Sequence, residues 1–352
     1  MMATRTGRWA FEAPTGYRAD QLSNRGLAVV LSGGGTLGAF QVGVIDVFAR
    51  AGIGPSLIVG TSVGAINAAF WAFNPVIDVG KDLLDVWLSC RRSTLFPGHR
   101  AAALLRLLRG DGHLYKLDGL KNLLSRRLDE NLCIEHAKIP LAVMAADAAT
   151  GERCALRSGP VMDAILASCA IPGVFPPVTI NGRPLFDGGV VSNCDVEAAV
   201  DAEMSGAVAI DLGSGISRAS GPLNSFAQAI SFNLRRQTEQ ACRLAARQLP
   251  LLVLRASLPV APALGDFRYT RQLFQWGQQA AHGLLRDRLL GPEFVAARTV
   301  DYDPANGASA RATHAPTPAL RPTASAGCEP EPGAENLSAL RARPPRLRPV
   351  PQ

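Results

Sequence analysis

An α/β fold with parallel strands joined by crossover helices is what the sequence predicts. Three observations carry the expectation: two short, wholly apolar runs ended by small residues, a stretch of helical periodicity after each, and the strict alternation of the two. Parallel neighbours need a long connection, usually a helix. Strands covered on both faces by such helices are apolar along their whole length, not at every second position.

The elements follow in order. Residues 1–25 are polar and weakly periodic and read as an N-terminal arm. Leu27 to Leu31 (LAVVL) is the first buried strand, stopped by Ser32 and three glycines. From Ala39 the pattern AFQVGVIDVFARAG has helical spacing and ends at Gly52, a C-terminal cap. SLIVG is the second strand. Ser62 follows it, and then the apolar helix AINAAFWAF, halted by Asn74-Pro75. Further strands are expected at Ile139 to Asp147, Ala207 to Leu212 and Leu251 to Ala256. Further helices are expected over Pro75 to Ser89, Leu117 to Leu128, Val161 to Ala167, Leu223 to Gln248 and Arg271 to Leu290. From Asp301 the chain turns Pro-, Ala- and Arg-rich with few large apolar residues, too few to offset its chain entropy. Residues 301–352 are therefore expected to be a disordered tail behind a domain spanning 26–300.

With 352 residues, 47% of them apolar, the chain has material for a large core. No window reaches the ~18 to 20 uninterrupted apolar residues of a membrane span, and the opening MMATRTGRWAFEAPTGYR lacks the apolar centre of a secretory signal; the expected compartment is the cytoplasm. Seven scattered cysteines, with no C-x-x-C pair, read as reduced structural thiols, and no metal site is expected. The net charge of +7 favours anionic partners, but there is no nucleic-acid motif and no basic helix with interleaved stacking aromatics, so nucleic acid is not an expected partner. Arg100 to Leu128 mixes leucines with Arg106, Arg109, Lys116, Lys121, Arg126 and Arg127. It reads either as basic amphipathic helices that cap a site or lie peripherally on an anionic membrane, or as ordinary helices that bury their leucines.

The chemistry centres on Gly60-Thr61-Ser62-Val63-Gly64, a G-x-S-x-G pattern between a buried strand and a helix. A sharp strand-to-helix turn forces the serine into an unfavourable backbone region, and Gly60 and Gly64 remove the Cβ atoms that would crowd it. Ser62 is thereby presented as a nucleophile. A hydroxyl nucleophile needs a base and a cradle for the oxyanion. Gly33, Gly34 and Gly35, in the run Gly33 to Gly38 between the first strand and first helix, offer backbone amides for the cradle. The same run matches the dinucleotide pattern G-x-G-x-x-G. That rival requires an acidic residue at the end of the second strand, where the serine turn stands instead. For the base, His282 has the sequence order of an ordinary triad but sits in a helical stretch, QQAAHGLL. Asp187 is the better candidate, because Gly188 and Gly189 after it let the backbone approach closely; its plain alternative is a tight D-G turn.

GGGTLG, GTSVG and DGG in this order, with ASCAIPGVFPPV (Ala167 to Val178), resemble the patatin-like phospholipases from about Gly26 to about Leu290. The resemblance implies a three-layer α/β/α fold with a mainly parallel central sheet and a Ser-Asp dyad without histidine or cofactor. Ser62 would be the nucleophile, Asp187 the base, Gly33, Gly34 and Gly35 the oxyanion loop, and Gly38, Gly188 and Gly189 supporting residues. The implied function is ester hydrolysis on phospholipids or lysophospholipids through an acyl-enzyme. Alternatives are acyl transfer from the same intermediate, or a lipid-binding pseudoenzyme. The chain departs from the pattern at Leu37, where many members carry Arg or Lys, so its oxyanion would rest on backbone amides alone.

Overall fold

A computed structural model describes residues 26–96, 109, 112–213, 222–260, 262–285, 298–305 and 307–312. The expected arm over 1–25 and the tail beyond 312 lie outside these residues, as does most of the stretch from Arg100 to Gly110.

Strand β1 (Leu27–Leu31) leads to α1 (Gly38–Arg50), β2 (Leu57–Thr61) to α2 (Val63–Phe73), and α3 (Val79–Ser89) and a short α4 (Arg92–Leu95) follow. After α5 (Asp118–Leu124) come β3 (Leu141–Asp147), β4 (Arg153–Leu156), α6 (Val161–Ser168) and the hairpin of β5 (Val178–Ile180) and β6 (Arg183–Asp187). The remainder is α7 (Glu197–Asp201), β7 (Gly206–Asp211), α8 (Pro222–Ala245), β8 (Leu251–Ala256), α9 (Thr270–Leu284), β9 (Arg298–Asp303) and β10 (Gly307–Ala312). The strands form one sheet in the order β10-β9-β8-β7-β1-β2-β3-β6-β5, with β4 also on β3. Pairing from β9 through β8, β7, β1 and β2 to β3 is parallel throughout, in keeping with the long apolar runs of the central strands.

Alternate residues of the central strands feed two cores. Val29, Leu31 and Ile58 join the apolar faces of α1, α2, α3 and α9 on one side. Ala28, Val30, Leu57 and Val59 meet Ala198, Ala199, Cys242 and Ala245 of α7 and α8 on the other. This is the expected three-layer α/β/α arrangement.

The expected tail boundary at Asp301 is corrected: β9 pairs with β8 from Leu252↔Arg298 to Ala256↔Tyr302, and β10 pairs antiparallel with β9. Val300 and Tyr302 are buried, and Tyr302 Oη hydrogen-bonds Gln279 Oε1 of α9 at 2.8 Å. Two buried side chains in an otherwise polar run are enough when a sheet edge supplies backbone partners. Helix bounds shift as well, most visibly for α3, where Pro75 to Asp78 stay outside the helix that had been expected to begin at Pro75.

One junction positions everything that follows. β2 is parallel to β3 and its last pair is Thr61↔Met144; β6 is antiparallel to β3 and its last pair is Asp187↔Ala145. At both places the opposite edge of β3 is occupied by β4, which pairs over Val143 to Ala146. A strand has two edges, so β2 and β6 share one and run head-on toward each other. The residues that leave their ends, Ser62 and Asp187, are forced together.

Candidate active site

Ser62 leaves β2 with φ 53° and ψ −123°, a left-handed conformation that is uncommon for a residue with a side chain. It begins α2, yet its hydroxyl makes no helix-capping hydrogen bond. A serine in a plain strand-to-helix turn would cap; this one holds its Oγ free for another partner. A Cβ on Gly60 would lie 2.6 Å from the Cα of Ala65, and one on Gly64 2.7 Å from the carbonyl oxygen of Ser32. The two glycines therefore do what the sequence requires of them, letting β2 fold back on α2 and α2 rest on the end of β1.

Asp187 is 5% exposed. Its Oδ1 accepts from the Gly189 amide at 2.8 Å, and the Ser62 side chain is near enough to favour the charged carboxylate. Burial pushes its pKa up to about 6, against the pull of the Ser62 side chain and the Gly189 amide, which favour the charged form. Gly188 is where the backbone passes closest to β3: a Cβ there would lie 2.5 Å from the Met144 oxygen. The D-G pair here starts a 3-10 turn over Gly188–Val190 and is not a hairpin turn; Gly188 and Gly189 are absent from the positive-φ residues.

The glycine loop after β1 approaches the same point. A Cβ on Gly33 would lie 3.2 Å from the Ser62 Cβ. The loop is tied down by Asn193, whose carbonyl accepts from the Gly33 amide at 2.9 Å and whose Nδ2 donates to the Gly33 carbonyl at 3.4 Å. Gly33 is therefore removed from the expected amide set, because its N–H is already spent on Asn193. The amides of Gly34 and Gly35 donate to none of the described residues. Gly35, at φ 55°, lines the cavity beside Ser62. Gly38 lies where a Cβ would strike Trp87 and Val63, and its carbonyl accepts from Asn67 at 3.0 Å. Asn67 also bonds Gln41 and receives the Trp87 indole N–H, while Gln41 donates to the Ser32 carbonyl. A buried polar network thus fixes the loop to α1, α2 and α3.

In front of Ser62 lies a cavity of about 100 Å³ lined almost wholly by apolar groups, among them Ile66, Trp87, Phe96, Leu124, Phe175 and Leu264. Cys169 and Cys90 also face it. Burial raises both thiols, Cys90 to about 12, and the Asp187 carboxylate adds to the rise at Cys169. Leu120, Leu123 and Leu124 of α5 are wall residues. In the described part of Arg100 to Leu128, Leu117, Leu120, Leu123, Leu124 and Leu128 are buried while Arg109, Lys116, Arg126 and Arg127 are exposed; Arg106 lies outside the described residues. His282 is exposed on α9, with no described bond to Ser62 or Asp187. No group of three or more His, Cys, Asp or Glu among the described residues is arranged to hold a metal, and no helix there is long and apolar enough to cross a membrane.

Two residues of this site went without a role in the sequence reading. Asn193 ends the run that begins at Asp187, and Ser168 donates its hydroxyl to the Met144 carbonyl while accepting from the Ser62 amide at 2.8 Å. A polar residue closing the apolar stretch AILA at the end of α6 is the signal that marks Ser168.

Residues 29–200 match the family model for patatin-like phospholipases. The chain is 28% identical over 201 residues to an uncharacterized NTE family protein of Mycobacterium bovis, covering 56% of this chain and 53% of that one. A patatin-like phospholipase domain-containing protein of Caenorhabditis elegans is 29% identical over 201 residues, 55% of this chain and 14% of that protein. The chain therefore spans about half the length, or less, of these relatives. Among solved structures, VipD from Legionella pneumophila superposes with a TM-score of 0.42 at 16% identity, over 75% of this chain and 67% of that one.

Proposed function

We propose, from the match of residues 29–200 to the patatin-like phospholipase family model, that it is a serine lipid hydrolase cleaving the acyl ester bonds of phospholipids or lysophospholipids. The observation that carries this reading is the strained, uncapped Ser62 at the wall of an apolar cavity, beside the buried Asp187 carboxylate where β2 and β6 meet. As Oγ attacks the ester carbonyl, its proton passes to Asp187, and the carbonyl oxygen takes the negative charge. The Gly34 and Gly35 amides, held by Ser32, Asn193 and the Asn67 network, stabilise that oxygen. Collapse breaks the ester C–O bond, and the leaving alcohol or lysolipid takes the proton from Asp187. Water then repeats the sequence on the acyl-serine, giving free fatty acid and regenerated Ser62. The acyl chain lies against Phe96, Phe175 and Leu124, which keep water from the dyad and strengthen polar interactions within it.

Hydrolysis of a lipid panel, read by mass spectrometry of the products, tests the assignment. The wild-type protein is expected to release fatty acid, Ser62→Ala to release none, and His282→Ala to keep its rate within a factor of about two. Release that persists in Ser62→Ala rejects the nucleophile, and a loss of several orders in His282→Ala favours a histidine base. Acyl groups recovered on an alcohol acceptor rather than as acid would identify transfer as the main reaction.

A further inference from the structure

We infer that Ser168 is the positioning residue that locks the nucleophile's backbone against the end of β3, as part of a Ser168-Cys169-Ala170 clamp holding the two dyad residues together; the inference rests on the Ser62–Asp187 reading. The three residues leave the C-terminal end of α6 exactly where β2 and β6 meet on β3. Ser168 is fully buried, and its hydroxyl has one proton and two lone pairs. The proton goes to the Met144 carbonyl at 2.5 Å, which fixes the rotor and turns a lone pair toward the Ser62 N–H, 2.8 Å away. Two residues on, the Ala170 carbonyl accepts the Asp187 amide at 3.0 Å. Between them Cys169 lines the same cavity as Ser62. One tripeptide thus holds the backbone N–H of both dyad residues.

The need for such a clamp follows from the topology. Ser62 has left the β2 ladder after Thr61↔Met144 and stands ahead of the first residue of α2, so neither element supplies an acceptor for its amide. Its left-handed conformation is a sparsely populated one that persists only where surrounding contacts over-determine it. Without Ser168 the 61–62 peptide is free to rotate, and the hydroxyl moves relative to Asp187. Distances to a reacting group are exacting, so the loss falls on the chemical step and not on substrate binding.

The test compares wild type, Ser168→Ala, Ser168→Thr and Ser62→Ala on a soluble short-chain ester, with kcat, KM and thermal unfolding measured for each. Ser168→Ala is expected to lose at least tenfold in kcat, about 1.4 kcal/mol of barrier, with KM within twofold. Threonine keeps the hydroxyl and is expected to restore most of kcat. In Ser168→Ala the acid limb of the rate profile should also move to higher pH, because a displaced Ser62 side chain no longer favours the charged carboxylate. If the alanine variant does not fold, Ser168→Cys, close in size but a weak donor and acceptor, takes its place against threonine. A kcat within twofold of wild type in the alanine or cysteine variant overturns the inference, as does a threonine variant as slow as they are. Turnover that survives in Ser62→Ala overturns the dyad itself, and the clamp with it.

Discussion

Burial sets the working state of Asp187. A carboxylate that is 5% exposed and titrates near 6 is still ionised at neutral pH, and is a stronger base than a free aspartate at 3.8. The expected kcat/KM profile rises through about pH 6 and is flat above it; a limb near pH 4 would mean that the carboxylate is wetter than the structure has it. The same group affects stability. Its folded pKa is raised, so the folded chain holds a proton that the unfolded chain releases between about pH 4 and 6. That contribution is fully present below about pH 4 and is lost as pH rises through about 6. The gap from 3.8 to about 6 is worth roughly 3 kcal/mol. Asp187→Asn is therefore expected to be inactive yet more stable than wild type at pH 8, by up to that amount, with the advantage gone at pH 4. Denaturant unfolding at the two pH values measures it, and an Asn variant less stable at pH 8 contradicts the burial cost.

At the scale of elements, the turn between β2 and α2 tolerates no Cβ at its two glycines. Gly64→Ala places a methyl against the Leu31 and Ser32 carbonyls, backbone atoms that cannot rotate away. A loss of about 1–3 kcal/mol is expected in thermal or denaturant unfolding, as for other overpacked sites; an unchanged midpoint would mean that the turn relaxes. This element was legible in the sequence because its cause is local: an apolar strand, a serine between glycines, and a helix. The parallel core was legible for the same reason, since β1, β2, β3, β7 and β8 are apolar except at or near their C-terminal ends, where Thr61, Asp147, Asp211 and Arg255 stand. The head-on meeting of β2 and β6 was not, because it depends on which edge of β3 each strand takes. Nor was the loss of Gly33 from the oxyanion set, since its partner Asn193 lies 160 positions away. β9 and the edge strand β10 escaped notice because they carry few large apolar residues, chiefly Val300 and Tyr302 of β9.

Across the whole molecule, the helix layer that carries the glycine loop is supported from the far edge of the sheet. Tyr302 packs its ring 5.8 Å from that of Phe40 in α1 and bonds Gln279 in α9. Tyr302→Ala is expected to cost about 3 kcal/mol of stability, as for other buried aromatics cut to alanine, while leaving kcat of the folded protein close to wild type at 25 °C. A change below 0.5 kcal/mol, as at surface sites, would place β9 outside the cooperative fold. The central claim spans the same distance in sequence, from a hydroxyl at position 62 to a carboxylate at 187. Peptide mass spectrometry after treatment with a fluorophosphonate at pH 7.5 tests it most directly. The phosphonyl mass is expected on Ser62 in the wild-type protein and is expected to be lost in Asp187→Asn; a label on Ser168 or Cys169, or one undiminished in Asp187→Asn, would contradict the dyad.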